Sequence, residues 1–222
     1  MEENLHFNIK IQKRKYSFKL NRDEFAPICK KPSVPKYSCL INDNAYTDDS
    51  ATEYTEEWCE KYRKLCLTNF DINMQYYSSL DQSEFNNELN GYLLRNSQFI
   101  EIIDLNNWAG VSGYYMMVLD EYKQVYIGKA IDVKRRIQQH WNKTKPLDRI
   151  LFPMYDVQNS IFSIDFFRAL DTTRIFAWHH TISDDTEKQL TKDFPSKFRC
   201  NRINGGVTTG VEALASITKH KN

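Results

Sequence analysis

The chain has 222 residues, with 30 Lys and Arg residues against 29 Asp and Glu residues. Hydrophobic residues make up 41% of the chain and aromatic residues 14%, which is enough for a packed core and excludes a chain that is disordered throughout. Its longest apolar runs fall far short of the roughly 20 residues that span a bilayer, so no membrane span is expected.

The amino-terminal residues and the cysteines both favour an intracellular protein. The chain begins acidic and has no basic segment followed by an apolar one, so a secretory signal is not expected. Its five cysteines form an odd set without a CxxC pair, which favours reduced thiols over disulfides or a structural zinc site. The sequence therefore predicts a cytoplasmic location.

Residues 1–100 predict an α+β extension. Partial alternation of apolar and polar residues over 7–20 predicts a strand or hairpin, and three prolines between 27 and 35 predict a connecting loop. Apolar residues at helical spacing resume near Thr52 and again from Phe85, which predicts helices. No motif identifies the role of this extension. DNA binding, target specificity and dimerisation remain open.

Residues 101–222 predict a second domain that begins with a β-hairpin. The apolar run Gly113–Leu119 predicts a buried strand, and Gln124–Gly128 predicts a second strand directly after a short polar turn. Strands separated by so short a turn are antiparallel, so Tyr115 and Tyr126 are expected to lie roughly opposite each other.

Helices and a third strand are expected after the hairpin. Asp132 is suited to cap a helix that runs through Trp141. The pattern then predicts a strand over Thr172–His180 and a helix that begins at Asp184. The predicted fold class is α+β, with a small three-stranded antiparallel sheet flanked by helices and preceded by the extension.

Charge is clustered although the total is nearly neutral. The segment Lys10–Lys36 holds nine basic residues and two acidic ones, and Lys123–Arg149 holds eight basic and two acidic. Between them, Asp43–Glu60 holds seven acidic residues and no Lys or Arg. Two such basic blocks can form a phosphate-binding face. Ordinary solvated surface explains the first block equally well.

The hairpin and the helix after it resemble the signature of the GIY-YIG nuclease superfamily. The first motif is Gly113-Tyr114-Tyr115, with Tyr in place of the usual apolar middle residue, and the second, ten residues later, is Tyr126-Ile127-Gly128. In the family a catalytic Arg lies ten residues beyond the second motif's Tyr, and many members have His or Tyr four residues further along. Arg136 and His140 occupy these positions.

The resemblance extends to the second half of the family's domain. There, a helix after the third strand carries a metal-binding Glu, and an Asn follows a turn that contains Pro. Glu187 matches the Glu, while Asn201 and Asn204 compete for the Asn position. The long separation of Glu187 from the first half implies an insertion near 145–167.

The resemblance implies a metal-dependent endonuclease that acts on double-stranded DNA with Mg²⁺ or Mn²⁺. Tyr115 would be the general base, Arg136 would hold the scissile phosphate, and Glu187 would bind the metal. Phosphodiester hydrolysis needs these groups: a base for water, cations for the phosphoryl oxygens and a divalent ion at the leaving oxygen. The remaining candidate residues are the catalytic Tyr126 and His140 and the phosphate-binding Lys129, Asn201 and Arg135.

Some of these residues also fit simpler roles. Asp184-x-x-Glu187 has the spacing of a capping box, in which the Glu carboxylate stabilises the helix without a metal. Arg135, next to Arg136, is the alternative candidate for the phosphate contact. A catalytically inactive nucleic-acid-binding module is the alternative function. Among nucleases, a restriction-type enzyme is expected because no helicase, zinc finger or helix-turn-helix is recognisable; homing, repair and phage enzymes, and a homodimer, remain open.

Overall fold

The structure, a computed structural model, describes residues 3–12, 16–33 and 52–203. Within these ranges the chain forms four α-helices and two antiparallel sheets, one of two strands and one of four, which confirms the α+β class. Some residues discussed above lie outside the described ranges, namely Lys13, Arg14, Lys15, Lys36, residues 43–51 and Asn204.

The helices begin at side-chain caps. Thr55 accepts a hydrogen bond from the backbone of Trp58, Asp81 from Glu84, and Asp132 from Arg135, so the predicted cap at Asp132 is confirmed. The helices are α1 (Glu56–Ser79), α2 (Gln82–Arg95), α3 (Val133–Asn142) and α4 (Asp184–Lys192). In the described part of the chain, no helix combines the length and the apolar composition needed to cross a bilayer.

The larger sheet contains the predicted hairpin and one strand more than expected. The strands are β1 (Glu3–His6), β2 (Ile9–Gln12), β3 (Ile100–Glu101), β4 (Gly113–Leu119), β5 (Gln124–Ala130) and β6 (Arg174–His179). The larger sheet has the order β3-β6-β4-β5, so the prediction of three strands is wrong. The missed strand β3 has only two residues, too few to show an alternating pattern.

Helices cover both faces of this sheet. Alternate residues of β4 point to opposite sides: Tyr115 and Met117 pack in the same cluster as α1 and α3, and Tyr114 and Met116 pack with α2 and α4. All seven residues of β4 are buried. Burial on both faces explains why this strand is a continuous apolar run rather than an alternating one.

The amino-terminal residues pack onto the same core. Ile9 and Phe25 belong to the cluster that contains Tyr115. The backbone N–H of Leu105 also donates to the carbonyl of Phe7 over 3.0 Å. Residues on both sides of position 100 therefore share one hydrophobic cluster, and the separate role of the extension stays a prediction.

Candidate active site

The register of the hairpin determines where its two tyrosines lie. Tyr115 pairs with Gly128, and Tyr126 pairs with Met117, so the two tyrosines are diagonal neighbours on one face. The sequence predicted that they lie roughly opposite each other, and the structure offsets them by two positions along β5. Their ring centroids are 6.1 Å apart. The two phenols therefore share one patch despite the different register.

Close packing explains both glycines at the outer ends of the two motifs. A Cβ atom at Gly128 would lie 2.8 Å from the Tyr115 hydroxyl oxygen. At Gly113 it would lie 2.2 Å from the carbonyl oxygen of Trp178 in the neighbouring strand. Both distances are too short for a side chain, so these glycines permit the close approach of their neighbours.

Tyr115 begins a chain of short polar contacts. Its hydroxyl oxygen lies 2.8 Å from Nε2 of His140, near the end of α3, and Nδ1 of the same ring lies 2.7 Å from Oδ1 of Asp165. All three side chains are buried. The structure thus brings together Tyr115 and His140, two of the predicted site residues, and adds a carboxylate.

Asp165 was not among the site residues predicted from the sequence. It lies in a short 3-10 helix, Ile164–Phe166, within the predicted insertion near 145–167. The Nζ atom of Lys145 is 3.0 Å from its other carboxylate oxygen, Oδ2. One available signal was that Asp165 is the single acid in the apolar stretch 161–167, because a buried carboxylate needs a partner.

The protonation states of Tyr115, His140 and Asp165 follow from their burial and from the charges beside them. Burial raises the pKa of Tyr115 well above its ordinary value, and Arg136 opposes the increase. Burial lowers the pKa of His140, while the hydrogen bond to Asp165 opposes that change. Burial would raise the pKa of Asp165, but His140 and Lys145 outweigh it and hold that pKa well below its ordinary value. Near pH 7 the phenol and the imidazole are therefore neutral, and the carboxylate is ionised.

Tyr126 and Arg136 lie next to this chain. The Tyr126 ring centroid is 5.1 Å from that of His140, and burial raises the pKa of Tyr126 to about 12. Arg136 lies close enough to Tyr115 for its charge to oppose the rise in the pKa of that phenol. Arg135, by contrast, is exposed on the same helix.

Glu187 is buried on α4 and faces a lysine. Its Oε2 lies 3.5 Å from Nζ of Lys129, which also forms an ion pair with Asp184. The helix is capped by Ser183, whose side chain accepts from the backbone of Thr186. The capping box proposed for Asp184 and Glu187 is therefore wrong, because Asp184 is already the first helical residue.

A second tyrosine anchors this helix. The hydroxyl of Tyr114 accepts a hydrogen bond from the backbone N–H of Ser183 over 2.7 Å. Adjacent residues of β4 thus serve opposite faces of the sheet: Tyr115 contacts His140 on one, and Tyr114 holds the start of α4 on the other. From the sequence, Tyr114 was expected only to replace the usual apolar middle residue of the motif.

Asn201 supports the neighbouring strand. Its side-chain oxygen accepts from the backbone N–H of Ile127 over 3.1 Å, and its side-chain nitrogen donates to the carbonyl of the same residue over 2.7 Å. Both the oxygen and the nitrogen of the Asn201 side-chain amide are therefore hydrogen-bonded to β5. Its predicted contact with phosphate stays a prediction.

Most of these residues line one open cleft of about 600 Å³. Tyr126, Arg136, His140 and Glu187 lie along it. Comparison of the chain with protein-family models, with curated proteins and with solved structures finds no match. The resemblance to the GIY-YIG superfamily thus depends on the motif residues themselves.

The cleft is rich in positive charge. Lys143, Lys145 and Arg149 lie along it beside Arg136, while its acids are Asp165 and Glu187. A groove with this excess of cations attracts a polyanion, and the effect is stronger in a concave site than on a flat surface.

Glu187 is the candidate ligand for a divalent ion. Over the described ranges, no three His, Cys, Asp or Glu residues are grouped as a metal-binding cluster. Mg²⁺ is often held by one or two carboxylates together with water and substrate phosphate, so a single buried Glu beside the cleft fits it. In the structure the charge of Glu187 is balanced by Lys129.

Proposed function

We propose that the protein is a metal-dependent endonuclease that hydrolyses phosphodiester bonds in double-stranded DNA, as the GIY-YIG resemblance implies. One observation carries the proposal. The residues at the motif positions lie together: the Tyr115 hydroxyl is 2.8 Å from Nε2 of His140, and Arg136 lines the same cleft as His140. Unrelated residues that matched a motif by chance would have no reason to meet in this way.

Arg136 is suited to hold the scissile phosphate. Its planar guanidinium lies along the cleft, stays charged at any relevant pH and matches the oxygens of a phosphate. In hydrolysis it would stabilise the negative charge that builds up on the phosphoryl oxygens.

Tyr115 is the proposed base for water. Its side chain is buried, and the charge of Arg136 favours its ionised form. A phosphate that pairs with Arg136 would bring the scissile bond to the part of the cleft next to Tyr115, where the hydroxyl oxygen would accept a hydrogen bond from water. His140, at 2.8 Å, offers Tyr115 a partner for its own proton.

Glu187 would hold Mg²⁺ or Mn²⁺. When bound, the ion supplies positive charge to the leaving oxygen of the phosphodiester. The ion would then balance the charge of Glu187 in place of Lys129, which keeps its ion pair with Asp184. Replacement of Lys129 by the ion as the partner of Glu187 explains why a lysine lies beside the proposed acidic ligand.

A binding module without catalysis is less well supported. DNA binding requires exposed cations, which the cleft provides through Lys143 and Arg149. It does not require the buried polar chain from Tyr115 to Asp165, which costs desolvation unless each group is paired. That chain is best explained by proton transfer.

Cleavage assays decide between the two functions. Purified protein is incubated with supercoiled plasmid and long linear DNA in Mg²⁺, in Mn²⁺ or in EDTA. We expect cleavage in either metal and none in EDTA. DNA binding without cleavage at any protein concentration would instead support the binding module. Sequencing of the product ends tests the narrower proposal of restriction-type cleavage, which requires breaks at one defined sequence.

A further inference from the structure

Asp165 is the buried end of the polar chain and lies outside the motif positions. Its Oδ1 is 2.7 Å from Nδ1 of His140, and Nε2 of the same ring is 2.8 Å from the Tyr115 hydroxyl. The side chains of His140 and Asp165 are only 2% and 6% exposed, so water competes little for these contacts. Both ring nitrogens are thus in use, each by a different partner.

Lys145 determines which atoms carry the hydrogens in the contacts that join Asp165, His140 and Tyr115. Its ammonium group has donors only and lies 3.0 Å from Oδ2 of Asp165, which keeps the carboxylate ionised and able only to accept. The hydrogen between Asp165 and His140 must then belong to Nδ1. A neutral ring with Nδ1–H has its lone pair on Nε2, where it accepts the hydroxyl hydrogen of Tyr115.

On the basis of the proposed function, we infer that Asp165 is a positioning residue that fixes His140 as the proton acceptor for Tyr115. The oxygen of the attacking water forms a bond to phosphorus, and the bond from phosphorus to the leaving oxygen breaks with its electron pair. One water proton passes to the Tyr115 oxygen while the Tyr115 proton passes to Nε2. The resulting imidazolium keeps its Nδ1–H bond to Asp165, whose negative charge stabilises it.

Asp165 is the acid that contacts this ring. Among the described residues, the other charged or titratable groups near this ring are Tyr115 from β4, Tyr126 from β5, Arg136 from its own helix, and Lys143 and Lys145, which approach Asp165 from the segment after that helix. The cations among them disfavour an imidazolium. Without Asp165, the ring would therefore be a poorer proton acceptor and would have no fixed tautomer.

Asp165→Asn replaces the carboxylate with an amide of nearly the same shape, so it changes the hydrogen bonding between Asp165 and His140 without changing the size of the side chain. Lys145 can only donate, so it holds the amide oxygen, and the amide NH₂ turns toward Nδ1 of His140. The ring must then carry its hydrogen on Nε2 and can no longer accept from Tyr115. We expect nitrogen NMR of the His140 ring to show Nδ1–H in the wild type and Nε2–H in the variant. Single-turnover cleavage should fall by about 100-fold or more, as for loss of a general base.

A second substitution should partly reverse the first. In Lys145→Met with Asp165→Asn, the amide is free to rotate and to present its oxygen to Nδ1. Lys143 does not replace Lys145, because it lies 3.9 Å from Oδ2 and is 53% exposed. We expect the Nδ1–H tautomer to return and the cleavage rate to rise by about tenfold over the single variant, within the range of an acid–base contribution. If Asp165 served only packing, removing a second contact would cause further loss.

Asp148→Asn is the matched control. Asp148 is another buried carboxylate in a nearby 3-10 helix, and it accepts from the Tyr54 hydroxyl over 3.0 Å. This variant should melt at a lower temperature while the His140 tautomer stays unchanged. Wild-type tautomer or wild-type cleavage rate in Asp165→Asn would overturn the inference. Absence of cleavage by the wild type would reject the proposed function itself, and the positioning role with it.

Discussion

Gly128 lies directly opposite Tyr115 in the antiparallel pair of β4 and β5, and the tyrosine hydroxyl occupies the space where a side chain at Gly128 would begin. Gly128 therefore has no side chain because Tyr115, the candidate base, fills the space beside it. A Cβ atom there would be 2.8 Å from the hydroxyl oxygen and 3.0 Å from the ring of Tyr126. Both contacts are with tyrosine rings, which cannot bend aside as the end of a flexible side chain can.

Gly128→Ala should therefore displace Tyr115 and disrupt its contact with His140. We expect cleavage to fall at least tenfold and the free energy of unfolding to fall by about 1–3 kcal/mol, as in other overpacked cores. Gly91→Ala is the control, because a Cβ at Gly91 meets only the end of the Arg95 side chain and Ala favours helix. Equal activity of both variants would contradict the close-packing argument.

Substitution of two adjacent arginines on α3, one at a time, distinguishes a role in catalysis from general attraction to DNA. Arg136→Ala removes the proposed phosphate-binding cation from the cleft, so single-turnover cleavage should fall by about 100- to 1000-fold, as for loss of a charge-stabilising donor. Arg135 is exposed, so Arg135→Ala should change cleavage little at saturating protein. Both variants are measured for DNA affinity and for single-turnover rate. A loss of cleavage that follows affinity in both would assign Arg136 to binding alone.

Glu187→Gln tests the metal ligand. The change keeps the size of the side chain but removes its charge, so cleavage should collapse while DNA binding persists. Because Ser183 caps α4, helix stability should change little. Asp185→Asn, in the same helical turn but exposed, is the control and should cleave normally. Mg²⁺-dependent cleavage by Glu187→Gln would direct the search for the ligand to Asp184.

The local parts of this site could be predicted from the sequence, because they depend on short spacings. The apolar run Gly113–Leu119 predicts the residues of β4, and Asp132 predicts the start of α3. Arg136 and His140 then follow from their distance along one helix. Each of these predictions uses residues fewer than fifteen positions apart.

The contacts that complete the site could not be predicted in this way. Asp165 meets His140 from an irregular segment 25 positions away, and irregular segments have no period from which a side chain's direction can be inferred. The register of the hairpin was missed for a related reason. Its turn contains a 3-10 helix and Lys123 in the left-handed region, with φ of 51°, which shifts Tyr126 from its expected position opposite Tyr115.

The pH dependence of cleavage should reflect the protonation of His140. Burial, Arg136 and Lys143 lower its pKa below the ordinary 6.5, and Asp165 only partly opposes them, so the ring loses its free lone pair only below that pH. The single-turnover rate should stay level from about pH 8 down to the ordinary histidine pKa of about 6.5 and fall at lower pH. The free energy of unfolding should fall over the same acid range, because the unfolded chain binds the proton more readily than the buried ring does. Rate and melting temperature are measured across this range in the wild type and in His140→Gln. The variant should be slow at every pH and should lack the acid decline, whereas a decline of equal size in both would assign it to another group.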